Sequence, residues 1–182
     1  MNRRAPLLWC AVAVVALAAA YYLSRPRDSA TREQAIDLVS KVRSGKGTIE
    51  EQAAWLCRLL DGKSSFGVAF SRHNCSWQAT KVGPFYWRVE YQDRGVALDG
   101  RPTAADKIWL LDTRSMELQP RTITTLMLTA PELAGVSSNK EINERFIALT
   151  GRPFSEHAAS MNAELDTLPR WRIGRDGSLT RV

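Results

Sequence analysis

The sequence predicts an α+β domain behind an N-terminal transmembrane helix, with an αα-hairpin and C-terminal helices packed on a small antiparallel meander sheet. Three observations predict it. An uncharged apolar run opens the chain. Helical periodicity with capping signals appears both before and after a central stretch of period-two alternation. The order is helices, then strands, then helices, unlike the strict alternation of a parallel sheet.

Arg3 and Arg4 precede an uncharged run from Ala5 to Ser24. About 19 apolar residues, rising ~1.5 Å each, just span the ~30 Å hydrocarbon core. Tyr21 and Tyr22 suit the aromatic belt at the membrane surface. Residues 1–24 are therefore expected to be a signal anchor, held in the membrane through residues 5–23. The competing reading is a cleaved signal peptide, with Ala18-Ala19-Ala20 as its cleavage site. Cys10 does not suit lipid attachment, because Trp9 is bulky where a small residue is wanted and the apolar run continues past it; it reads as a membrane-embedded thiol. A short segment with two arginines places the N-terminus inside and the domain in the periplasm or outside the cell, although Arg25, Arg27 and Arg32 weigh against that count. Residues 25–30 form a polar tether in which Pro26 prevents helix continuation. Residues 31–182 are one exported domain of ordinary size.

Thr31 and Gln34 make a capping box, and Ala35, Leu38, Val39 and Val42 continue it as an apolar helical stripe. Gly45 and Gly47 stop that helix. Thr48 and Glu51 repeat the box. Ile49, Ala53, Leu56 and Leu60 line the second helix, with Cys57 beside Leu56 and Gly62 at its end. The two helices read as an αα-hairpin.

"FGVAF" at 66–70 is short and β-prone. Along 85–92, Phe85, Trp87, Val89 and Tyr91 point one way while Tyr86, Arg88, Glu90 and Gln92 point the other, the pattern of a half-buried antiparallel strand. Asp93-Arg94-Gly95 reads as a turn and 96–106 as a polar excursion with an Asp99-Gly100 turn signal. Residues 108–112 are a short apolar strand, 113–116 a turn, and 117–128 a returning strand that Pro120 places at an edge or bulge. Ser138 and Glu141 open a third capped helix, carrying Ile142, Phe146 and Leu149 and broken at Gly151 and Pro153. Ser155 caps a last helix to about Leu165, and 170–182 closes as a strand or hairpin turning at Asp176-Gly177.

Net charge is +6. Arg3 and Arg4 account for two of these charges, and the segment from Arg170 onward for three more, so the body is close to neutral. That distribution argues against a nucleic-acid partner, which needs a broad basic face.

Cys57, Cys75 and His73 supply ligand types for zinc, but neither C-x-x-C nor H-E-x-x-H spacing occurs and His157 is remote. A Cys75–His73 nucleophile pair lacks an orienting acid. "DGKSS" at 61–65 lacks the upstream glycine of a phosphate loop, where Cys57 stands, and comes after a helix rather than a strand. "NCS" at 74–76 is a glycosylation acceptor only in a eukaryotic secretory protein. Glu90 and Asp112 are carboxylates of the kind a hydrolase needs, but nothing pairs them. No catalytic, cofactor or metal site is expected. In an exported domain Cys57 and Cys75 are expected to form a disulfide; facing the cytoplasm they would be reduced core thiols. Trp55, Trp77, Trp87 and Trp109 cluster in sequence, either as a core and its rim or, with Tyr86, as a partner surface formed by Trp77, Tyr86, Trp87 and Trp109.

From 85 to 121, "FYWRVEYQ…KIWLLDTRSMELQPRT" resembles PepSY-like domains and, more loosely, the cystatin-like helix-on-sheet group. Trp87-Arg88-Val89, Ile108 to Asp112, and Glu117 to Pro120 match their successive strands. The chain departs in its two leading helices, its long 96–106 loop and the absence of glycine from the turn after Asp112. The resemblance implies a non-enzymatic exported module that binds or restrains other proteins. The expectation is thus an accessory or interaction subunit of a cell-envelope complex, with a protein partner there. The alternatives are a secreted binding protein or inhibitor, and an enzyme of unrecognised type.

Overall fold

A computed structural model describes residues 30–45, 47–60, 70–97, 100–136, 138–157, 161 and 163–182. The expected anchor and tether up to residue 29, the Gly62 helix end, the "DGKSS" segment and residues 66–69 of the expected strand lie outside the described residues. Among the described residues, no helix is long and apolar enough to cross a membrane.

The fold is α+β. Helix α1 (Arg32–Ser40) starts on the expected capping box: Thr31 Oγ1 accepts from Gln34 N–H at 3.2 Å and Gln34 Oε1 accepts from Thr31 N–H at 2.8 Å. It buries Ala35 and Val39. A two-residue ladder, β1 (Arg43–Ser44) with β2 (Gly47–Thr48), replaces the simple glycine turn between the helices. Helix α2 (Ile49–Leu60) opens on the second box, Thr48 with Glu51, and buries Ile49 and Ala53.

Seven strands form the main sheet: β3 (Phe70–Lys81), β4 (Tyr86–Ala97), β5 (Pro102–Ala104), β6 (Lys107–Asp112), β7 (Glu117–Pro120), β8 (Trp171–Ile173) and β9 (Leu179–Arg181). Their order is β3-β4-β6-β7-β8-β9, with β5 on β4, and every pair is antiparallel. The register puts Ala79, Val89, Trp109 and Leu118 on one face, where α1 adds Ala35 and Val39, the segment after it Val42, and α2 Ile49 and Ala53, to make the main core. Each large aliphatic side chain so buried contributes about 1.5–3 kcal/mol. Helix α3 (Ile123–Thr129) reaches the same face, where Thr129 Oγ1 accepts from Trp109 Nε1 at 2.8 Å. Helix α4 (Asn139–Thr150), capped by Ser138, joins Phe146 and Leu149 to Ile123, Leu126, Leu168 and Trp171 in a second cluster. Residues 163–168 cross the opposite face. There Gln119 Nε2 donates to the carbonyls of Asp166 and Leu168, both at 2.9 Å, and Arg88 pairs with Glu164 at 2.7 Å.

Four expectations are corrected. Strand β3 extends to Lys81, well beyond the β-prone 66–70 segment, because Cys75, Trp77 and Ala79 alternate inward under the helices while its outer face stays polar. Asp93-Arg94-Gly95 is not a turn: β4 runs through it, paired with Asn74, His73 and Cys75 on one side, and β5 folds back from the polar excursion onto the other. The strand from Glu117 ends at Pro120, and Thr122 then caps α3 by accepting from Thr125 N–H at 3.1 Å. Among the described residues the last helix is α5 (Phe154–His157), which includes Ser155 rather than being capped by it, and 163–165 are not helical.

Candidate interaction surface

One end of the sheet gathers three turns. The β3–β4 tip is tight because the N–H groups of Val82 and Gly83 both donate to Tyr86 O, at 3.0 and 3.3 Å. The Tyr86 ring lies against Gly83, where a Cβ would come within 3.1 Å of it. Phe85 O accepts from Thr113 N–H at 2.9 Å and from its hydroxyl at 3.0 Å, which ties this tip to the β6–β7 turn. The Arg114 guanidinium sits 5.6 Å from the Phe85 ring centroid. The β6–β7 turn is joined in turn to the third, since Met116 O accepts from Ile173 N–H at 2.8 Å. The β8–β9 turn then holds the start of β1, just after α1, with Gly177 O accepting from Arg43 N–H at 2.8 Å.

The carboxylates at this end are already engaged. Asp112 accepts from the N–H groups of Arg114 at 2.8 Å and Ser115 at 3.3 Å. Burial works against its charge, but those donors and the side chains of Ser115 and Tyr86 outweigh it and hold its pKa below the usual value. Asp176 accepts from the Ser178 hydroxyl at 2.6 Å and its N–H at 3.1 Å, and is lowered for that reason. Beside the exposed Asp176, this end exposes Val82 (54%), Tyr86 (41%) and the side chains of Arg43, Arg114 and Arg175. Such an end can seat a partly apolar, anionic surface.

The expected surface residues do not stay together. Only Tyr86 belongs to this end. Trp77 is half-buried, edge-on to Tyr91 at 5.0 Å and 5.7 Å from Trp109. Trp87 and Trp109 are core side chains, 7% and 0% exposed, because they occupy inward positions of β4 and β6. Trp55, on α2, is instead 56% exposed. Val82, Phe85 and Arg114 were not legible as a site, although "VGPFY" at 82–86, a Gly-Pro turn between apolar residues, is a local signal for an exposed tip.

Cys57 and Cys75 form a disulfide that joins the last turn of α2 to β3 across 18 residues. Next to Cys75 in the ladder, Asp93 faces inward and pairs with Lys107 at 3.1 Å. Lys107 Nζ also donates to Ala105 O at 3.3 Å and lies 5.7 Å from the Tyr91 ring centroid. Burial, then the Asp93 charge, pushes the Tyr91 hydroxyl pKa up. The inward alternation from Trp87 to Gly95 was the signal for this pair: an acid at a core position needs a cation, and Lys107, opposite Tyr91 on β6, is two positions away on the same face. Glu90 is held by Arg88 Nε at 2.7 Å and stands four residues along β4 from the partner of Asp112. His157 lies 3.3 Å from Thr150 Oγ1. Among the described residues no group of three or more His, Cys, Asp or Glu side chains is placed to hold a metal ion. No family model, curated protein or solved structure matches this chain.

Proposed function

We propose that this chain is a membrane-anchored, extracytoplasmic interaction module without catalytic activity, serving as an accessory subunit of a cell-envelope complex. The Cys57–Cys75 disulfide carries the reading, because such bonds persist in oxidising compartments and are rare in the cytosol. The uncharged run from Ala5 to Ser24 behind Arg3 and Arg4 supports the anchor and the export of the domain from residue 31 onward. The resemblance to PepSY-like modules agrees with it, since the strands that carry the likeness lie side by side as β4, β6 and β7.

Topology tests the compartment. A C-terminal reporter that works only outside the cytoplasm is expected to be active, and activity confined to the cytoplasm would refute export. Detergent extraction and then affinity capture test the subunit role: a stoichiometric partner is expected, and a chain that elutes alone counts against it. Ala18-Ala19-Ala20 favours a second reading, a secreted binding protein or inhibitor. A mature N-terminus at Tyr21 would select it.

A further inference from the structure

We infer that the end of the sheet formed by the β3–β4, β6–β7 and β8–β9 turns rests on an anionic lipid headgroup surface, with Val82 and Tyr86 entering the interface and Arg43, Arg114 and Arg175 pairing with lipid phosphates. The inference rests on the proposed membrane anchor. Its first support is charge. Among the described residues, none of the three guanidiniums is in an ion pair with a carboxylate. The acids here keep their charge, Asp112 and Asp176 held ionised by turn donors and Asp176 also by the Arg43 charge, while Arg172 pairs with Glu117 at 3.3 Å and Lys41 with Asp37. Lys41, Arg43, Lys81, Arg114, Arg172 and Arg175 outnumber Asp37, Asp112, Glu117 and Asp176 at this end, an excess of two positive charges that an anionic surface complements.

The second support is side-chain type. Val82 is 54% and Tyr86 41% exposed on a turn whose backbone is fixed by two hydrogen bonds to Tyr86 O. Tyrosine, with an apolar ring and a polar tip, is favoured at membrane interfaces. The Tyr86 side chain also bonds to Asp112, so the hydroxyl stays satisfied beside the headgroups.

The third is reach. Ser24–Ala30, between the apolar run and α1, extends to at most about 25 Å. A domain of this length has a radius of gyration of about 15 Å. Such a tether keeps the domain within contact distance of the bilayer.

Depth measurements on the full chain test this. In a Cys10→Ser background, a nitroxide is placed on Val82→Cys or Tyr86→Cys, with Ser155→Cys as the control. The chain is reconstituted in vesicles of phosphatidylcholine with phosphatidylglycerol. Expected is quenching by oxygen over a water-soluble nickel complex at 82 and 86 but not at 155, lost in phosphatidylcholine alone or in high salt. Arg114→Gln and Arg175→Gln, both at exposed positions, each lower the ratio of bound to free tip about fivefold. Near-ultraviolet circular dichroism checks that these variants keep the fold. Labels that remain in water while the chain resists alkaline extraction overturn the inference alone. A chain removed by alkaline extraction refutes the anchor, and the inference with it. Labels that stay in water with vesicles but are immobilised by poly-aspartate assign this end to an acidic protein partner and overturn the lipid assignment.

Discussion

Lys107 Nζ lies 3.1 Å from the Asp93 carboxylate, and both side chains are 5% exposed. The pair sits in the core layer between β4 and β6, beside the Tyr91 ring. Removing one partner leaves a buried charge uncompensated, at about 3–5 kcal/mol. Lys107→Met is therefore expected to lower unfolding free energy in urea by that amount. Adding Asp93→Leu is expected to restore part of the loss, and a double mutant no more stable than the single would show the pair is not coupled in this way.

The disulfide closes a loop whose ends are 18 residues apart. Such a loop contributes about 3 kcal/mol in the chain-entropy model. Dithiothreitol, or the Cys57→Ser/Cys75→Ser double variant, is expected to lower the urea midpoint accordingly. Because Cys57 and Cys75 both pack against the main core, the reduced domain keeps its sheet, and far-ultraviolet dichroism is expected to change little before the transition.

Those two contacts differ in how legible they were. The capping boxes at Thr31 and Thr48 were readable because both partners lie within one helical turn. The alternation along β4 was readable while its inward residues were aromatic or aliphatic. It was lost at Asp93, where a core charge mimics a turn residue. Strand β3 was missed because an edge strand needs only one apolar face, and three inward residues among nine polar or terminal ones give a weak period. Helix α3 was hidden by the β-branched Ile123, Thr124 and Thr125, whose strand preference is overridden by the Thr122 cap and by burial of Ile123 and Leu126. The candidate surface depends on strand register bringing three distant turns together, and no local pattern encodes that.

Asp112 gives the domain a pH dependence. Its folded pKa lies below the ordinary carboxylate value of about 3.9. A lowered folded value means that its contribution is complete above the unfolded pKa and is lost as pH falls through the folded one. Asp112→Asn is thus expected to cost stability at neutral pH, with the gap to the parent narrowing progressively below about pH 4. Paired urea titrations at neutral and acidic pH check this; a gap that widens toward acid would refute the assignment.

Gly177 adopts φ +80° in the β8–β9 turn, and a Cβ there would come within 2.8 Å of Lys41 O. Gly151, at the end of α4, has φ +76° but nothing within 4 Å of its added Cβ. Both substitutions carry the left-handed backbone cost of about 1–2 kcal/mol. Gly177→Ala must also displace α1 from the turn, so it is expected to be clearly more destabilising than Gly151→Ala in thermal melts. Equal effects would mean that the contact between the hairpin and α1 contributes nothing.

The tryptophans separate the core from the rim. Trp109 is fully buried and donates to Thr129 Oγ1 at 2.8 Å, whereas Trp55 is 56% exposed on α2. Trp109→Ala removes a large side chain from the layer shared with Val89 and Leu111 and is expected to cost about 3–5 kcal/mol. Thr129→Val keeps the shape but leaves the indole N–H without its acceptor, at about 1–3 kcal/mol. Trp55→Ala is expected to stay within about 0.5 kcal/mol of the parent, because an exposed helical site loses little packing and alanine favours helix. Urea unfolding of the three variants checks the order. If Trp55→Ala proved the most damaging, α2 would have to bury its outer side against something beyond the described residues.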